Sequence, residues 1–89
     1  MTIKLQSELN IRQVAELKDQ LSEALNADVD IVLDASDVET VDAAALQLLL
    51  AFVQQAVLKQ RSVKWGELSE GFLSAVKLMG LSNGLNLQV

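Results

Sequence analysis

Apolar and polar positions change their period several times along this chain, and each change marks a new element. Thr2 to Gln6 alternates, with Ile3 and Leu5 on one side and Lys4 and Gln6 on the other, which predicts a half-buried strand. From Ile11 the apolar residues Val14, Leu17, Leu21 and Leu25 recur every three or four positions and predict an amphipathic helix capped by Asn10. Glu16, Lys18, Asp19 and Glu23 fall off that stripe and form a solvated face. Val29 to Leu33 is short and β-branched, as in a central strand covered on at least one face. Ala43 to Lys59 predicts the longest helix, with Leu46, Leu49, Leu50, Val53 and Val57 on its core side and an unusually apolar opposite flank. Ser62 to Trp65 predicts a further interior strand, Leu68 to Met79 a helix stopped by Gly80, and Leu85 to Val89 a last strand.

Strands alternating with helices predict an α/β domain, a single one over residues 1–89. Right-handed crossovers would wind these units into a mostly parallel central sheet of about four strands with the helices packed against it. A chain of 89 residues buries one modest core. Only 3% of residues are aromatic, so that core is built from Leu, Val, Ile and Ala.

Charge and residue usage exclude several functions. The formal net charge of −5, with Lys18, Lys59, Arg61 and Lys64 scattered, argues against nucleic acid and against anionic lipid headgroups. No stretch is long and apolar enough for a membrane span, and Met1 to Leu5 lacks the apolar run of a secretory signal. Direct membrane insertion is not expected, and the cytoplasm is the expected compartment. The absence of cysteine removes disulfides and thiolate chemistry, and the absence of histidine removes the commonest general base.

The acidic residues Asp28, Asp30, Asp34, Asp37, Glu39 and Asp42 cluster in sequence, but without the Gly and terminal Glu of a calcium loop they read as turn formers, caps and solvated charge. Asp34 and Asp42 flank one loop, where recognition suits them better than catalysis. Ser36 or Ser69 as nucleophile would need an unusual base. Trp65 reads as a packing residue near a sheet edge or under a helix, and the four glycines are too far apart for a phosphate-cradling loop. Enzymatic activity, a metal and a cofactor are therefore not expected.

The most informative segment runs from Ile31 through Leu50: a strand, a turn, then Asp42 ahead of Ala43, Ala44 and Ala45. Asp42 suits the N-cap, accepting from the free N–H groups of the first turn and favouring the positive end of the helix dipole. This pattern resembles the signature of STAS domains, named after sulfate transporters and anti-sigma factor antagonists, in which a strand leads through Asp-Ser/Thr-x-Gly/Ala-Leu into a long helix. The resemblance extends to Leu5 through Asn10, similar to the family's Gly-Glu-Leu-Asp segment, and to Gly80-Leu81 near the end. Ser7, Asn10, Ala43 and Ala45 depart from the family pattern.

The resemblance implies a STAS fold and a protein-binding role. In regulatory members the residue after the Asp is a Ser or Thr phosphorylated by a partner kinase. Here it is Ala43, which has no oxygen to modify. The implied docking patch is Ala43, Ala44, Ala45 and Leu48, extending toward Phe52, with Asp37, Glu39 and Asp42 as a polar rim for partner Lys or Arg. The implied partner is a regulatory kinase or anti-sigma-like ATPase of a bacterial signalling system, and the run Asp42 to Leu49 is most similar to free-standing STAS proteins of chemotaxis signalling. Two other expectations stand beside it: an accessory subunit of an ABC-type lipid transporter, pressing the same helix on an ATPase, and a small domain holding a nucleotide or a lipid against the apolar helix flank. That flank also makes a homodimer an option.

Overall fold

The computed structural model describes residues 1–10 and 12–87. Its elements follow one another as β1 (Thr2–Lys4), β2 (Glu8–Leu9), α1 (Val14–Asn26), β3 (Ile31–Ala35), β4 (Thr40–Val41), α2 (Ala43–Leu58), β5 (Val63–Leu68) and α3 (Glu70–Leu78). β3 lies between β1 and β5 in an all-parallel sheet, with Ile3 beside Leu33 and Leu33 beside Trp65. β2 and β4 form a second parallel pair, Glu8 beside Thr40 and Leu9 beside Val41.

Alternation decides which face of the main sheet is covered. Ile3, Ile31, Leu33 and Ala35 are buried, whereas Thr2, Lys4, Lys64 and Gly66 on the opposite face are exposed. One contiguous cluster joins the buried strand residues to Leu17 and Leu21 of α1, Leu46, Leu49 and Val53 of α2, and Phe72 and Val76 of α3. The helices thus share one layer. Because every helix runs back against the strands, the N-termini of α2 and α3 lie at the edge where β3 and β5 end.

The α/β class is as expected, but the strands are arranged as three plus two instead of one sheet of about four. The β2–β4 pair has two residues per strand, too few to show a period. Leu85 and Asn86 lie in a turn and Leu87 in no regular element where the last strand was expected, and Gln88 and Val89 lie outside the described residues. β5 runs through Gly66 to Leu68, because its pairing with β3 continues past an irregularity to match Ala35 with Leu68. Asn10 does not cap α1. Its Oδ1 accepts from the Arg12 N–H in a turn one step earlier, and the helix starts after Gln13, while the expected start at Ile11 lies outside the described residues.

Trp65 takes its expected place on the edge strand, its ring centroid 5.3 Å from that of Phe72 and its Nε1 donating to the Leu85 carbonyl at 2.8 Å. Gly80, at φ +69°, ends α3 in a Schellman motif, with the Leu81 N–H reaching the Val76 carbonyl and the Gly80 N–H reaching Lys77. Val57 is a correction: it was expected in the core and is 61% exposed, because the apolar arc of α2 is wider than the surface it covers.

Candidate functional site

The entrance of α2 is built from three short segments. β3 ends at Ala35, and Asp34 turns the chain by accepting the Ser36 N–H on Oδ1 at 2.9 Å. The Ser36 hydroxyl and then its N–H hold the Asp34 carboxyl below the usual aspartate range. Asp37 follows on the surface and pairs with Lys4 of β1 at 3.1 Å; this contact raises the Lys4 ammonium above its ordinary value. The pair is exposed on both sides, so it orients the two side chains and adds little to stability.

Val38 is buried, and its carbonyl accepts from the Ser69 hydroxyl, which also caps α3 through the Phe72 N–H. The loop is thereby clamped by the start of α3. β4 then pairs with β2, the Asp42 N–H binds the Leu9 carbonyl at 2.9 Å, and the Asp42 carboxylate accepts the Ala45 N–H at 2.9 Å. An extended N-cap with an acid on the third N–H of the helix is the geometry expected from the sequence.

Among the three alanines the structure makes a distinction invisible in their identity. Ala43 and Ala44 are exposed, but Ala45 is buried at 1% and faces the core. Ala45 therefore leaves the expected docking patch, as does Phe52, which is also buried. Leu48 is half-buried against the core and presents only part of its surface. The accessible tip is Ala43, Ala44 and the edge of Leu48, beside Asp42, with the exposed Asp37 and Glu39 nearby in the chain.

Beyond the tip, α2 carries no charged residue from Ala43 to Leu58. A shallow groove runs along its side facing α1, lined by Lys18, Leu21, Leu25, Leu48, Ala51 and Phe52. Another depression lies on the opposite side, lined by Val53, Val57, Leu58 and Gly84.

The acids that cluster in sequence take separate partners in the fold. Asp28 pairs with Arg61 at the far end of the domain, Asp34 serves its turn, Asp37 meets Lys4 and Asp42 caps α2. Among the described residues no group of three or more His, Cys, Asp or Glu side chains is placed to hold a metal ion, and no helix is long and apolar enough to cross a membrane. The site residues that sequence reasoning missed are Lys4 and Ser69, each joined to the loop by a long-range contact that no local pattern announces.

No curated protein matches the chain. A family model described as "Mlab, STAS domain" matches residues 1–88, which takes in every element described above. With an Asp-capped central helix, a parallel sheet and that match over nearly its whole length, the chain belongs to the STAS family.

Proposed function

We propose that this protein is a non-enzymatic interaction module of a bacterial signalling system, related in action to anti-sigma factor antagonists or to chemotaxis-linked STAS proteins, and that it binds a regulatory kinase or ATPase through the tip of α2. The observation that carries this reading is the pair of exposed alanines, Ala43 and Ala44, directly after a helix-capping aspartate. Small side chains let a partner backbone approach closely, and the neighbouring acids meet partner Lys or Arg at the rim. A phosphoryl group would bring roughly −1.5 to −2 charges to this surface. Ala43 has no hydroxyl to receive one, so the tip stays in the docking-competent state, and any regulation acts on the partner or elsewhere.

The second reading places the same surface against the ATPase subunit of an ABC-type lipid transporter. It is favoured by the family description, which says Mlab and mentions neither an anti-sigma factor antagonist nor a chemotaxis protein.

The test uses the intact chain as bait in native extract, followed by titration against the retained ATPase. Ala43→Glu should weaken binding more than tenfold, which is about 1.4 kcal/mol, with the melting temperature nearly unchanged because an acid is tolerated in the first turn of a helix. Equal affinity would remove the tip from the interface. Recovery of a soluble kinase supports the signalling reading, and recovery of a membrane-bound ATPase supports the transporter reading.

A further inference from the structure

The outward ridge of α2 has a regular composition. Ala44, Gln47, Ala51, Gln54 and Leu58 are all exposed and are separated by three, four, three and four residues, the spacing of a helix–helix seam. Leu58 is 76% exposed. No charge interrupts this ridge, although exposed acids stand on α1 at Glu16, Asp19 and Glu23 and at the start of α3 at Glu70. The helix is bracketed instead by an acid before its first residue, Asp42, and a base after its last, Lys59. Neither an acidic residue in the first turn nor a basic residue in the last turn offsets its dipole from within.

We infer that the occupant of this ridge is a second copy of the chain, packed antiparallel about a two-fold axis at Ala51. That alignment sets Ala51 against its own counterpart, Gln47 against Gln54 of the second copy, Ala44 against Leu58 of the second copy, and Asp42 toward Lys59 of the second copy at both ends. Small residues on the axis allow close helix approach, the paired amides satisfy one another, and the opposed dipoles and terminal charges attract. The ridge itself carries no charge, with Lys18 of α1 bordering it beside Ala51, whereas an α1–α1 contact would oppose Glu16, Asp19 and Glu23 to themselves. The contact is one helix wide, so the dimer is weak and reversible. This inference does not depend on the identity of the partner. It adds a consequence, however: Ala44 belongs to both surfaces, so dimerisation and docking exclude each other.

Sedimentation equilibrium of the full chain tests it between about 10 μM and 1 mM, the range of a weak association. The mass should climb from the 9.7 kDa of the monomer toward twice that value. Ala51→Glu and Ala51→Arg place like charges on the axis, and each should weaken dimerisation more than tenfold while the exposed position keeps the fold and melting temperature intact. Mixing the two variants in equal amounts should restore a dimer. A wild-type chain that stays monomeric at the highest concentration overturns the inference. So does a dimer that survives in both variants, or a mixture that fails to associate.

Discussion

Gly71 is the second residue of α3, and the fold leaves it no room for a side chain. A Cβ added there would lie 2.7 Å from the carbonyl oxygen of Glu39 and 3.5 Å from that of Val38. Both are backbone atoms of the loop that Ser69 clamps and that leads into the Asp42 cap, so relief requires moving either α3 or the approach to α2. Gly71→Ala should gain about 1 kcal/mol of helix propensity and lose about 2–3 kcal/mol to overpacking, the upper part of the usual range because the obstructing atom is backbone, a net destabilisation of about 1–2 kcal/mol. For a domain of this length, where 1 kcal/mol corresponds to roughly 4–8 °C, the melting temperature should fall by roughly 4–16 °C.

Gly84→Ala supplies the control. The same methyl there meets Leu50 Cδ1 at 2.7 Å, the end of a half-buried side chain that can rotate away, so the change should stay within about 0.5 kcal/mol. Urea unfolding of both variants, followed by far-ultraviolet circular dichroism and by Trp65 fluorescence, measures the difference. A Gly71→Ala protein as stable as the wild type would refute the close approach of α3 to the Glu39 carbonyl.

Asp42→Ala removes the acceptor for the Ala45 N–H and should cost about 0.5–2 kcal/mol in the same urea assay. Leu49→Ala, at a fully buried position, should cost about 2–5 kcal/mol. Val57→Ala, at the penultimate residue of the same helix and exposed, should lie within about 0.5 kcal/mol of wild type, and calorimetric melting compares the two. Asp34 has a folded-state pKa below its unfolded one, so its contribution is complete above the unfolded value of about 3.9 and is lost as pH falls through the lower folded value. Asp34→Asn should therefore flatten the fall in melting temperature as pH drops below about 4 and leave the difference between pH 7 and pH 9 unchanged.

Much of the fold was legible because its signals are local. The periods of α1 and α2, the Asp42 cap, the stop at Gly80 and the packing role of Trp65 depend on neighbours within one or two turns, or on residue type, and all are present. Element ends shifted where long-range pairing overrode local preference, as in β5, which passes through Gly66 because β3 continues to pair with it. The β2–β4 ribbon was invisible for a related reason. Two residues carry no period, and their pairing rests on a contact across more than thirty positions.

The site divides in the same way. Composition and spacing determined by themselves that α2 begins at an aspartate, that the next residue cannot carry a phosphoryl group, and that the helix has no charge along its length. Only the tertiary structure decided which alanines meet solvent, because that depends on how α2 rolls on the sheet: its phase buries Ala45 with Leu46 and Leu49 and turns Ala44, Ala51 and Leu58 outward. A helix apolar on most sides has no preferred face of its own. The sheet and the neighbouring helices select one, and what they leave uncovered is the surface offered for the proposed docking.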